Sequence, residues 1–298
     1  MATIVTQRLP ATGANVALAW PAIALAVVLG CIPLAFVVIY SLLKPAAFGG
    51  VEWIFSLDAY RSLLFRKDVF SDELVFSADH LLIFGRSILL AVATTLLCLA
   101  AGFPMAAYMA SRPPRERKWW VLAITIPFWT SLLVRTLALM LIIGDQGLIN
   151  GLLLRCGLIE TPIAMLYTDF AVLLGLLYSF LPFMVLPLFA SLEKLDPRLA
   201  EAGADLYAGR WRIAVQVILP NIRPGIVAGS LLVFVPALGS YVVPLMLGGG
   251  RSMMVGDLIA LQFGSSRNWP LGAAESVVLV ALVALALAPS WLMRGRTA

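Results

Sequence analysis

Charge is what this 298-residue chain has least of: 12% of its residues are Asp, Glu, Lys or Arg, while 61% are hydrophobic. Soluble domains carry roughly 25% charge. A water-soluble core of this length has no room for so much apolar surface, so a soluble globular fold is excluded. Histidine occurs once, at His80, and the cysteines Cys31, Cys98 and Cys156 form no CxxC pair. That argues against a disulfide framework and against a metal site. His80 is expected to lie at an interface by chance. No Walker motif, HExxH or GxSxG is present, and Gly248-Gly249-Gly250 lacks the Lys-Ser/Thr of a phosphate loop. The chain is therefore not expected to be an enzyme or to bind a cofactor.

What remains is long apolar runs. Six candidate membrane spans lie at roughly 17–43, 84–110, 119–143, 168–190, 222–247 and 272–293. The runs are continuous, whereas barrel strands alternate every second residue, so strands are not expected. The class is all-α and polytopic, embedded in a lipid bilayer. Several spans contain proline, which bundles tolerate when neighbouring helices satisfy the freed carbonyls.

The net charge of +5 follows from topology rather than from a nucleic-acid partner. Arg8, Arg112, Arg115, Arg117, Lys118, Lys194, Arg198, Arg210, Arg212, Arg223, Arg294 and Arg296 fall on one side of the six spans. Eight basic residues fall on the other side. The richer side is expected to be cytoplasmic, with both termini there. The segment 44–83 is then an external loop, and apolar spacing over Ser56–Phe65 predicts a short amphipathic helix on the outer surface.

One segment breaks the apolar pattern. Residues 191–221 are polar and basic, and 201–226 read EAGADLYAGRWRIAVQVILPNIRPGI. A short turn suffices to join two spans, so a segment of this length is expected to protrude and grip a soluble partner. Asp196-Pro197 is a helix cap followed by proline at the first helical position. Gly209 offers a break, a helical pattern resumes at Trp211, and Pro220 and Pro224 offer an end. Two short helices joined by a turn are predicted.

This segment resembles the EAA loop of permease subunits in binding-protein-dependent ABC importers, through Glu201, Ala202, Ala208, Leu219-Pro220 and Pro224-Gly225-Ile226. Gly203 stands where that family usually has alanine and Tyr207 where it usually has glycine, so Gly209 is expected to supply the turn. PFWTSLLVRT (127–136), GDQGLIN (144–150) and LIALQFGSSRNWPLGAAESVVL (258–279) are similar to the B-type permease subunit of spermidine/putrescine importers. The resemblance covers most of the chain and implies a type I importer permease fold, one transmembrane domain over 1–298, in a bacterial inner membrane. It also implies an ATPase dimer holding ATP and Mg, docked at Glu201, Ala202, Gly203, Ala204, Tyr207, Ala208, Gly209 and Pro220. A second, C-type permease subunit and an external substrate-binding protein complete the implied assembly. After Arg135-Thr136 the polyamine members tend to have Tyr-Ala-Trp, whereas this chain has Leu137-Ala138-Leu139. Aromatic faces hold ammonium groups well. Their absence keeps another small solute open as cargo, such as an aminophosphonate or related amine.

The remaining candidates carry two roles each. Trp129, Asp145, Tyr178, Tyr241 and Glu275 are candidates for a substrate pathway. Packing or an interfacial position is the plainer role for the aromatics, a loop acid for Asp145 and ion pairing for Glu275. Arg135, inside the third span, is expected to form a structural ion pair with Asp145, Glu275 or the partner subunit. For Glu201 the plainer role is complementing the helix dipole. Gly225, Ala228, Gly229 and Ser230 suit close helix contact. A gradient-driven carrier would need buried acids and an inverted repeat, and a membrane enzyme would need clustered polar residues at one face. Neither pattern is visible, and the carrier is kept as the remoter alternative.

Overall fold

The computed structural model describes residues 13–46, 48–67 and 74–294. Helix α1 (Gly13–Ser41) leads into β1 (Leu43–Pro45), β2 (Val51–Phe55), α2 (Asp58–Ser62), β3 (Phe65–Lys67) and β4 (Leu74–Phe76). Then come α3 (Asp79–Ala110), α4 (Pro114–Thr125), a 3-10 turn (Ile126–Trp129), α5 (Leu132–Ile143) and α6 (Leu148–Arg155). The second half holds α7 (Asp169–Glu193), α8 (Pro197–Asp205), α9 (Arg210–Ile213), a π-helical stretch (Ala214–Ile218) and α10 (Leu219–Leu238). The chain closes with α11 (Val242–Gly248), α12 (Val255–Phe263) and α13 (Trp269–Arg294). Six stretches of the described residues are long and apolar enough to cross a membrane: Ala24–Ser41, Asp79–Ala110, Leu132–Arg155, Asp169–Glu193, Trp211–Leu238 and Trp269–Ala288.

The centre is a three-helix contact of α3, α7 and α10, with α1 packed on α13 at the periphery. Small residues let α10 approach α7 closely. A Cβ on Gly225 would lie 2.7 Å from the Pro187 carbonyl oxygen, and one on Gly229 would lie 2.8 Å from the Met184 sulfur. Two larger buried clusters fill the bundle, beside a small third one of Ala91, Ala237 and Leu238. Leu90, Ile143, Val172, Leu176 and Leu247 form one, and Cys98, Ala106, Met184, Leu188 and Val233 the other.

Four sequence expectations are corrected. Strands do form: β1 pairs with β2 and β3 with β4, each antiparallel, in the segment between the first two spans. Hairpins satisfy their own backbone groups, which suits a segment outside the apolar runs. The amphipathic helix there is shorter than Ser56–Phe65. It covers Asp58–Ser62, buries Ala59 and bonds Tyr60 Oη to Ser41 Oγ at 2.9 Å.

The third crossing is longer and broken. Arg117, near the start of α4, pairs with Glu193 at the end of α7, whereas Ile143 packs with Leu90 and Val172 in the other cluster. Residues 114–143 therefore make the return, with the 3-10 turn at Pro127 inside it. The apolar run continues to Arg155 only as α6, a separate helix tied by Asn150 to Gly144 and Ile163.

The fifth span also shifts. It begins before Pro220 rather than at about residue 222, because α9, the π stretch and α10 run on without a break. It ends at Leu238, and Val242–Gly248 forms the separate helix α11. Gly249 closes α11 at φ +55°, where a Cβ would press into the Tyr167 ring.

Candidate functional site

The polar segment is organised by two caps. Asp196 accepts a hydrogen bond from the Arg198 amide at 3.0 Å, with Pro197 at the first helical position, and this starts α8. At its other end the Tyr207 amide donates to the Ala204 carbonyl at 2.9 Å and the Ala208 amide to the Gly203 carbonyl at 3.1 Å. This is the Schellman pattern, in which the residue after the cap takes the left-handed conformation and is usually glycine. Here that residue is Tyr207, at φ +56°. Tyr207 itself makes the turn expected of Gly209, which is not in the left-handed region. Gly209 instead accepts from the Ile213 amide at 3.0 Å and opens the next helix.

Gly203 has its own packing reason. A Cβ at that position would lie 3.2 Å from Ile213 Cγ1, so α8 folds back closely onto α9 and the π stretch. Pro220 lacks an amide donor, and the π stretch just before it absorbs the irregular hydrogen-bonding pattern. Asn221 Nδ2 donates to the Val217 carbonyl at 2.7 Å there.

The outcome is a knuckle with apolar residues turned outward. Leu206, Tyr207 and Trp211 are 82%, 98% and 81% exposed. Glu201, Ala202 and Ala204 are exposed as well, whereas Gly203 and Ala208 are half-buried. Glu201 has no ion-pair partner among the described residues. An isolated carboxylate beside an exposed apolar tip is the chemistry of a docking surface, free to meet a cation on another chain.

The five pathway candidates are not gathered into one site. Trp129, Tyr178 and Tyr241 are exposed on the surface of this chain, Asp145 is exposed, and Glu275 is fully buried. No hydrogen bond, ion pair or ring contact joins any two of them among the described residues. Glu275 meets His80 instead, with Nε2 3.4 Å from Oε1. The histidine expected to lie at an interface by chance is thus the partner of a buried carboxylate. Arg135 does not pair with Asp145 or Glu275. It is 9% exposed, its Nε is buried without a hydrogen-bond partner, and its guanidinium lies 5.5 Å from the centre of the Phe128 ring.

Two ion pairs that sequence reasoning missed hold the ends of the α3–α7 pair. Arg86 Nε donates to Asp169 at 3.1 Å, its Nη1 donates to the Arg251 carbonyl at 2.7 Å, and Ser252 Oγ donates to Asp169 at 2.7 Å. At the opposite end Arg117 pairs with Glu193 at 3.1 Å and donates to the carbonyls of Ala110 and Arg112. The available signal was a charged residue at each end of an apolar run, but sequence spacing does not say which ends meet.

The segment 102–294 matches the family described as binding-protein-dependent transport system inner membrane component. The chain is 39% identical over 241 residues to the spermidine/putrescine transport system permease protein PotB of Escherichia coli (strain K12), covering 81% of this chain and 83% of that protein. It is 43% identical over 191 residues to the protein of the same name from Haemophilus influenzae, covering 64% and 67%. In fold it is similar to a chain in the crystal structure of a bacterial ABC transporter involved in import of the acidic polysaccharide alginate. The TM-score there is 0.66 at 16% identity, over 95% of this chain and 96% of that one. A six-span helical bundle, a protruding capped knuckle and a family match over most of the length converge, in place of a gradient-driven carrier or a membrane enzyme: the chain belongs to the inner-membrane permease components of binding-protein-dependent ABC importers.

Proposed function

We propose that the chain imports a polyamine, spermidine or putrescine, as one of two permease subunits driven by a separate ATPase. The observation that carries the cargo is the 39% identity over most of both chains to the E. coli spermidine/putrescine permease. The knuckle Glu201–Pro220 meets the ATPase, which holds ATP and Mg, and passes its movement through the unbroken α9–α10 rod into the bundle. The chain itself hydrolyses nothing. Both termini lie on the ATPase side. A second, C-type permease covers the exposed faces that carry Trp129, Tyr178 and Tyr241, and an external binding protein delivers the cargo. Of the partners expected for Arg135, a carboxylate of that second subunit is the one left.

A second reading rests on Leu137-Ala138-Leu139, where the aromatic pair of the polyamine members is absent and Leu137 is exposed. It keeps the importer and changes the cargo to an aminophosphonate or related amine. Stimulation of ATP hydrolysis separates the two. The reconstituted complex is given its binding protein loaded with spermidine, putrescine, or a panel of other amines and phosphonates. Stimulation by a polyamine supports the first reading, stimulation by another ligand alone replaces it with the second, and none with any ligand overturns the coupling.

A further inference from the structure

We propose that the groove between α3 and α4 is a binding site for one anionic phospholipid, with an acyl chain along the groove and the phosphate against Arg112. The groove has a volume of about 510 Å³ and is lined by Pro104, Met105, Tyr108, Trp120, Ala123 and Ile124, with Met109 at its base. That size lies within the ~300–1,000 Å³ of small-molecule sites. Its wall is almost wholly apolar, which suits hydrocarbon and offers nothing to a polar cargo.

A cation borders it, with others close by in sequence. The Arg112 guanidinium lies 4.2 Å from the centre of the Tyr108 ring, and Lys118 Nζ lies 5.6 Å from that of Trp119. Arg117 is matched by Glu193. Arg112, Arg115 and Lys118 have no ion-pair partner among the described residues, and Glu116 is the one acid in their segment. Arg112 Nε is buried without a hydrogen-bond partner. Tyr108 and Trp120, from opposite walls of the groove, meet edge-to-face at 5.2 Å, with Arg112 over the Tyr108 ring, as in an interfacial aromatic belt. Unmatched cations above aromatics above an apolar trough complement a phosphate headed by its own acyl chain. No carboxylate of the described residues meets those cations, so the charge favours an occupant that brings its own anion, and the apolar trough favours one with an acyl chain. The site rests on the membrane-permease reading and is independent of the cargo.

The complete importer complex is reconstituted in nanodiscs of phosphatidylcholine doped with phosphatidylglycerol, and the lipids it retains are counted by native mass spectrometry. The wild type is expected to retain phosphatidylglycerol over phosphatidylcholine by about ten-fold. Arg112→Ala with Lys118→Ala removes that preference while the complex stays assembled. Ala123→Trp fills the trough and reduces retention of both lipids. Equal retention of the two lipids by the wild type, or an unchanged preference in the double variant, overturns the site. A cross-link from a cysteine placed at Ala123 to the second permease subunit also overturns it, by showing that protein covers the groove. Binding-protein-stimulated ATP hydrolysis is measured on the same discs; its loss with lipid selectivity intact counts against the transport reading and leaves the lipid site standing.

Discussion

Arg86 and Asp169, 83 residues apart in sequence, join the ends of two central helices, and Ser252 completes the cluster from the loop after α11. With Arg117 and Glu193 at the other end, the parallel pair α3 and α7 is stapled twice. The geometry also forces the intervening chain to cross back, which identifies 114–143 as the third crossing.

The Arg86–Asp169 staple is partly open to solvent, so its contribution is that of a screened, charge-assisted pair. Asp169→Ala is expected to cost about 1 kcal/mol and Ser252→Ala less. Thermal unfolding of the purified complex checks this, and equal melting temperatures for all three proteins would remove the staple's role.

His80 and Glu275 form a tighter test. Among the described residues His80 is the one ion-pair partner of the fully buried Glu275 carboxylate. His80→Ala strands that carboxylate and is expected to destabilise the bundle by about 3 kcal/mol. Glu275→Gln in the same chain should restore most of the loss, because no buried charge is then left alone. A double-mutant cycle on melting temperature measures the coupling; additive losses would mean the two residues act separately.

Tyr207 occupies a left-handed position that favours glycine and has no compensating contact within the chain. Tyr207→Gly is expected to stabilise the knuckle by about 1 kcal/mol. Hydrogen exchange of the Ala208 amide, which closes the turn onto Gly203, should then slow about five-fold. Faster exchange in the variant would show that the tyrosine ring holds the turn.

Glu201→Ala removes an exposed side chain with no partner in its own chain, so folding and membrane insertion should be unaffected. Uptake should be abolished if the knuckle couples to the ATPase. Normal uptake by a variant present at wild-type levels in the membrane would sink the coupling role.

The two interhelical glycines should differ. Gly229→Ala meets the Met184 sulfur most closely, with the Met184 carbonyl oxygen further off at 3.3 Å, and the gain in helix propensity of about 1 kcal/mol offsets the contact. Gly225→Ala meets the Ser191 side chain and also the backbone carbonyl of Pro187, which cannot step aside, and is expected to cost about 2 kcal/mol. Melting temperatures that rank the two in the opposite order would contradict the close α7–α10 approach.

What the sequence by itself determined is what depends on local composition. Apolar runs of span length set the membrane class and the number of crossings, because lipid demands continuous internal hydrogen bonding. Asp196-Pro197 set the start of α8, because a cap acts within a few residues. Tertiary structure decided whatever depends on which distant groups meet. Pairing of Glu275 with His80 rather than Arg135 follows from the start of α13 lying beside the start of α3, and no spacing in the chain encodes it. The left-handed turn falls on Tyr207 rather than Gly209 because α8 must fold back onto Ile213, and that contact fixes where the helix ends. The helix running through Pro220 depends on the π stretch before it, which relieves the missing amide in a way that proline alone, read as a helix breaker, does not reveal.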